Sequence, residues 1–268
     1  MTQNDYLFDH EWVSERERLR ALELLSDPAT IRALQEIGVS EKWRSLETGA
    51  GGGSIAEWLC QTVGAAGQVV AADLEVKFLK PLECPNQDVW AFNLITDELP
   101  EAEFDLVHAR SVLIHLPQRE EMLRKLAQAI KPGGWLFVED PHFLIYGIDP
   151  SVPTPMREAA GNVDKAMLQA IEIIGIDTNF GGRLFGLICS LVFEAVQGRG
   201  EVSVYRGGTP VSEMMMLTVE RLRTSILGIG LVMEGEFEEY MTFYHDPDCT
   251  FRFLISRAWR CKPAAACL

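Results

Sequence analysis

Several things are missing from this 268-residue chain, and each absence closes off a class of protein. Its six cysteines (Cys60, Cys84, Cys189, Cys249, Cys261 and Cys267) include no Cys-x-x-Cys pair, which argues against a disulfide framework or a thiolate metal site. The N-terminus lacks the basic and then apolar regions of a secretory leader, so the expected location is a reducing cytoplasm. No apolar run approaches the roughly 20 residues of a bilayer-spanning helix. Cys267 is next to last, whereas a prenylation signal needs cysteine fourth from the end, so the tail reads as unmodified. Positive charge is also scarce: 24 Lys and Arg face 39 Asp and Glu, a net charge of -15. The densest basic stretch, Arg16 to Arg20, is interleaved with Glu15 and Glu17, as on a solvated helix face. A polyphosphate would be repelled, and neither nucleic acid nor membrane is expected as a partner. There is no internal repeat or low-complexity tract.

What is present is a large apolar fraction, 47%, arranged with two periods. Residues 5–38 carry Trp12, Leu19, Leu22 and Leu25 at helical spacing, and Asp27-Pro28 reads as the start of a second helix ending at Gly38. From Trp43 short apolar strands alternate with amphipathic helices, the pattern of a parallel sheet with crossover helices. The expected strands are 45–47, 68–72, 89–93, 104–108 and 134–139, with helices at 54–63, 76–80 and 119–130. Residues 141–200 begin Pro-rich and then read as helices over 157–175 and 183–197. That is too long for a plain crossover and suggests a cover over a ligand site. Residues 202–205 and 250–258 alternate like strands and should close the sheet as an antiparallel edge, with helices at 211–227 and 235–244 between them.

The chemistry starts at Leu46-Glu47-Thr48-Gly49-Ala50-Gly51-Gly52-Gly53-Ser54, a strand running into a glycine turn and then a helix. Glycine lacks the Cβ that would keep a nucleoside away from backbone, and the helix N-terminus beyond offers unpaired N–H groups. A second strand, Val69-Val70-Ala71-Ala72-Asp73, ends in a carboxylate able to accept ribose hydroxyls. Together these point to a nucleoside ligand. The Gly-x-Gly-x-Gly spacing differs from the dinucleotide Gly-x-Gly-x-x-Gly, and no Tyr-x-x-x-Lys pair is recognisable, which disfavours a nicotinamide oxidoreductase.

The run Glu47 to Ser54, Asp73 after the second strand, Phe104-Asp105-Leu106-Val107-His108-Ala109-Arg110 and Lys131-Pro132-Gly133-Gly134 resemble the class I S-adenosylmethionine-dependent methyltransferases. The resemblance is strong over about 43–140. It extends more weakly to the C-terminus, where Arg206 to Pro210 and Asp246-Pro247-Asp248 resemble bacterial small-molecule, natural-product methyltransferases. It implies an α/β fold: a doubly wound, Rossmann-like, mostly parallel seven-stranded sheet with helices on both faces and a helical cover. It also implies one domain, with an N-terminal lid (1–42), a cofactor core (43–140), an acceptor cover (141–200) and closing strands and helices (201–268).

The resemblance further implies roles. Glu47 would organise the methionine end of S-adenosylmethionine, and Thr48, Gly49, Ala50 and Gly51 would pass beneath it. Asp73 would hold the ribose and Leu74 pack on the adenine. Asn93, with Leu94 beside it, stands where related proteins often place an aspartate facing the adenine amino group; an amide oxygen can also accept. His108-Ala109-Arg110 would meet the donor's amino group and face the acceptor. Methyl transfer from a sulfonium requires mainly alignment, and a base is optional. Were one used, His108 and His142 are the candidates, both at carboxyl ends of strands. Arg110, His142, Tyr6 and Tyr146 are the candidate acceptor contacts, with Trp12 near the same lid. His115, in Ile-His-Leu-Pro, reads as a packing or hydrogen-bonding residue. Glu139, Asp140 and His142 should point to opposite faces of one strand and not share a metal. Met214-Met215-Met216 reads as a buried helix face; an adaptable pocket or a subunit surface, and with it a homodimer, stays open. The expected activity is methyl transfer to an O, N or C atom of a small, largely apolar metabolite of secondary metabolism. The alternatives are a member of the same fold that catalyses a cyclisation or rearrangement without methylation, and a non-catalytic binding protein.

Overall fold

The computed structural model describes residues 15–79, 84–191 and 196–263, so Tyr6 and Trp12 lie outside the described residues. The first half of the chain builds α1 (Glu15–Ile37), β1 (Arg44–Thr48), α2 (Ser54–Val63), β2 (Gln68–Asp73), β3 (Gln87–Ala91), β4 (Phe104–Arg110), a 3-10 turn (Leu113–His115), α3 (Arg119–Gln128) and β5 (Ile130–Ile148). The second half adds α4 (Thr154–Ile173), α5 (Phe180–Cys189), β6 (Gln197–Arg206), α6 (Pro210–Arg221), α7 (Arg223–Gly228), α8 (Glu234–Phe243) and β7 (Thr250–Cys261).

The seven strands form one sheet in the order β3-β2-β1-β4-β5-β7-β6. β1 to β5 are parallel, and β7 runs antiparallel to both of its neighbours, so the sheet is mixed. The central strands are apolar on both sides because helices cover both faces. Val69 and Ala71 pack with Leu34 of α1 and Leu59 of α2, whereas Val70 and Ala72 pack with the layer that contains Leu126 of α3 and Met167 of α4. Local signals fix several boundaries. Thr209 caps α6, with the Ser212 N–H donating to its hydroxyl at 3.3 Å, its own N–H donating to Ser212 Oγ at 2.9 Å, and Pro210 opening the helix.

Three expectations are corrected. α1 continues through Pro28 without breaking; Asp27 and Thr30 on either side of that proline are bonded to the sheet, which offsets the lost helical hydrogen bond. The helix expected at 76–80 is a turn over 77–79, with residue 80 outside the described residues. The Pro-rich stretch after 139 is not yet cover: β5 runs on to Ile148, and its pairing with β7 shifts register between Pro141 and Tyr146.

The strand order reverses between β1 and β4, so the loops leaving those two strands diverge and open a crevice at their carboxyl ends.

Candidate functional site: two joined cavities

The crevice is shaped by the glycine turn. Gly49 (φ 68°) and Gly51 (φ 54°) occupy the left-handed region, and a Cβ on Gly49 would lie 2.2 Å from Val112 Cγ2. The turn is pinned to β2: the Gly49 and Ala50 N–H groups donate to Ala72 O at 2.8 and 3.1 Å, and the Gly51 N–H donates to Asp73 Oδ2 at 2.8 Å. Asp73 Oδ1 accepts from Glu75 N at 3.1 Å.

A cavity of about 1210 Å³ opens above this turn, lined by Thr48, Gly49, Gly51, Asp73, Leu74, Asn93, Leu94 and Arg110 from the sequence-predicted set. Its roof comes from α1, through Glu15, Arg18, Leu19 and Leu22. Asn93 Oδ1 already accepts from Ile95 N at 3.0 Å, which fixes the loop after β3. The residues fit S-adenosylmethionine. Glycine backbone passes under an open space, a carboxylate ends β2, Leu74 gives an apolar wall, and Thr48 Oγ1 is buried at the floor with no hydrogen-bond partner among the described residues.

Four of the predicted cofactor residues do not line this cavity. Glu47 is 3% exposed and does not line the cavity, because its carboxylate faces inward, with Oε2 2.5 Å from His108 Nδ1. His108 is fully buried, and its other ring nitrogen lies 3.1 Å from Glu139 Oε1. Burial alone would lower the His108 pKa, but the Glu47 and Glu139 carboxylates outweigh it and push it up to about 9. The ring is therefore a buried imidazolium at neutral pH, neither a base nor an acceptor contact. Burial would likewise raise Glu139, yet His108, Arg257 and Arg110 bring it down to about 2. Ala109 is buried in the core, and Ala50 contributes its backbone while its side chain packs on the cluster beneath.

Arg110 does reach the donor cavity but is committed to α1: its Nη1 donates to Asp27 Oδ1 at 2.8 Å and to Thr30 Oγ1 at 3.1 Å. It does not face the acceptor space. His142 points away from that space, against Gly182 of α5, where an added Cβ would sit 2.6 Å from the ring. Strand alternation explains this, since Pro141 and Phe143 on either side face the opposite way. Tyr146 stands one layer behind the wall, packed on Phe143 and Phe253, with its hydroxyl 3.3 Å from Tyr244 Oη. Glu139, in the buried ionic cluster, and His142, against α5, do not converge on a common point.

A second cavity, of about 710 Å³, adjoins the first. Arg18, Leu22, Ser111 and His115 line both. Phe143, Met167, Ile171, Met214, Met215 and Phe253 are among its apolar walls, so the methionine run serves an adaptable pocket as well as a helix core. His115, read from the sequence as a packing or hydrogen-bonding residue, lines both cavities. Burial, then the charges of Arg18 and Arg119, push its pKa down to about 4. Ser111, the first residue past β4, holds the left-handed region (φ 55°) without being glycine, with its N–H donating to Glu139 O at 2.8 Å. That strained turn redirects the chain and sets the following 3-10 turn, with His115, over the junction.

Residues 46–136 match the methyltransferase domain family. The chain is similar to methyltransferase str3 of Strobilurus tenacellus, 29% identical over 186 residues, covering 67% of this chain and 61% of that protein. It is also similar to a ubiquinone biosynthesis O-methyltransferase of Hydrogenovibrio crunogenus, 29% identical over 133 residues, covering 47% of this chain and 54% of the relative. The chain thus spans less than two thirds of the length of the curated relatives it matches. Among solved structures, the fold resembles that of a methyltransferase from Bacillus halodurans, with a TM-score of 0.59 at 16% identity, covering 88% of this chain and 100% of the other. Among the described residues no helix is long and apolar enough to cross a membrane.

Proposed function

We propose, taking the methyltransferase domain over residues 46–136 as premise, that the protein transfers the methyl group of S-adenosylmethionine to a small, largely apolar metabolite. The observation that carries this reading is the pair of cavities sharing one seam of four residues. The donor supplies an electrophilic methyl on a sulfonium; the chain supplies everything else. Asp73 and the glycine turn hold the nucleoside, Leu74 and Leu94 wall the base, and Thr48 takes a polar group at the floor. Helix α1 excludes water from above, which strengthens the polar contacts beneath it. His115, neutral at physiological pH and placed at the seam, orients the acceptor by a hydrogen bond to its ring. Oxygen is the favoured methylated atom, in keeping with the O-methyltransferase among the relatives. Secondary metabolism and a cytoplasmic location remain part of the same reading.

Calorimetric titration tests it. S-adenosylmethionine and S-adenosylhomocysteine should bind and NADH should not, and Asp73→Ala should weaken both of the first two by about 2 kcal/mol, the scale of a charge-assisted hydrogen bond. Unchanged affinity in the variant would remove the ribose role, and no binding by the native chain would remove the donor site.

A further inference from the structure

The chain carries 39 carboxylates, yet no carboxylate of the described residues lines the acceptor cavity. Among the described residues its single charged lining residue is Arg18, 7% exposed and placed at the seam with the donor cavity. Arg18 is paired with Glu15 one turn earlier in α1, through Nε to Oε2 at 2.7 Å and Nη2 to Oε1 at 2.8 Å. The pair is oriented: Glu15 lines only the donor cavity, while Arg18 lines both. The negative end thus lies toward the space assigned to the sulfonium and the positive end toward the acceptor.

From this placement, and resting on the reading of the second cavity as the acceptor site, we infer that the methylated atom is an acidic oxygen on an apolar body, a carboxylic acid, enol or phenol, taken up at the Arg18 seam as its anion. An ammonium there would meet a guanidinium and find no counter-charge within the cavity. An anion meets a guanidinium already desolvated and oriented. The charges around His115 agree: burial lowers its pKa first, and the two nearby guanidiniums, Arg18 and Arg119, lower it further; those two charges also favour negative charge on a neighbouring ligand. The apolar body fits between Phe143, Phe253, Met167 and Met215.

The step balances. The acid gives up its proton to bulk water before it binds as the anion, an oxygen lone pair then forms the new C–O bond, and the C–S bond breaks with its pair left on sulfur. Anion and sulfonium become a neutral ether or ester and a neutral thioether.

Three naphthalene probes of one shape test the charge preference without turnover: 2-naphthoate, 2-naphthylmethylammonium and 2-methylnaphthalene, titrated by fluorescence into the full chain. Naphthoate should bind at least about tenfold tighter than the ammonium, with 2-methylnaphthalene between them. Arg18→Gln should bring naphthoate to the level of 2-methylnaphthalene, and Arg18→Lys should keep part of the preference. Should Arg18→Gln fail to fold, the ranking on the native chain and the lysine variant decide. Equal binding of all three, or tighter binding of the ammonium, overturns the charge assignment and leaves the cavity as an acceptor site. Absence of all binding, or binding that survives Met215→Trp, overturns the acceptor-cavity reading itself and this inference with it.

Discussion

His108 and His115 lie on one strand-to-turn segment, both away from bulk solvent, and their surroundings drive them in opposite directions. His108 sits between Glu47 and Glu139 and is pushed up to about 9; His115 sits near Arg18 and Arg119 and is pushed down to about 4. Desolvation penalises the charged ring at both sites, so the sign is set by the neighbours. The sheet interior uses a histidine as a fixed cation that joins β1, β4 and β5, and the cavity seam uses one as a neutral group free of charge. A residue type alone does not announce a base; the charge of what surrounds it does.

The strongest way to break this contrast is to exchange which histidine is removed. His108→Ala leaves Glu47 and Glu139 buried without the cation between them, and should destabilise the protein by about 3–5 kcal/mol in urea denaturation. His115→Gln should keep stability within about 1 kcal/mol, while lowering kcat by about tenfold, the worth of one positioning hydrogen bond. The reverse pattern, a stable His108 variant and an unstable but active His115 variant, would end the assignment.

Acid–base linkage gives the next largest effect. His108 has a folded pKa above its unfolded value, so its contribution is complete below about pH 6.5 and is lost as pH rises through about 9, a swing of about 3 kcal/mol. His115 has a folded pKa below its unfolded value, so its contribution is present above about pH 6.5 and is lost as pH falls toward 4. Thermal unfolding followed from pH 4 to 10 should therefore show stability falling at both ends. In His108→Gln the alkaline decline should disappear, and in His115→Gln the acid decline should lessen. A native profile that keeps rising beyond pH 9 would contradict the imidazolium.

Much of the donor half was legible because it is local. The glycine turn, Asp73 and the strands around them rest on short-range chemistry, and the first four parallel strands fall where the apolar runs placed them, to within a few residues, whereas β5 runs well past its apolar run to Ile148. Glu47 and His108 were misassigned because their partners are strands apart: nothing near Glu47 in the chain shows that its carboxylate turns inward to β4. Arg110 was misplaced for a similar reason, as Asp27 lies 83 residues away. His142 is different, because strand alternation from Pro141 and Phe143 could have turned it away from the cavity, had β5 been extended that far. The second cavity was legible only as the adaptable pocket left open at Met214-Met215-Met216. Met167, Ile171, Met215 and Phe253 come from α4, α6 and β7, and each is an apolar residue indistinguishable by pattern from core.

The smallest change sharpens the contrast most. Thr30 of α1 donates to Glu139 Oε1 at 2.6 Å and accepts from Arg110 at 3.1 Å, so it joins the buried ionic cluster to the helix that carries Arg18 over the seam. Thr30→Val keeps the shape and removes both bonds, at a cost of about 1 kcal/mol. Glu139 then loses a donor that stabilised its charge and leans harder on His108, whose pKa should stay at about 9 or rise. Helix α1 should be held less tightly, admitting water at the seam, so that the His115 pKa climbs from about 4 toward 6.5. Imidazole titration by NMR reads both rings in one experiment. A climb of His115 with His108 unchanged or higher would show that α1 governs the seam independently of the sheet interior; a climb of His115 with a fall in His108 would mean that the two histidines share one electrostatic unit.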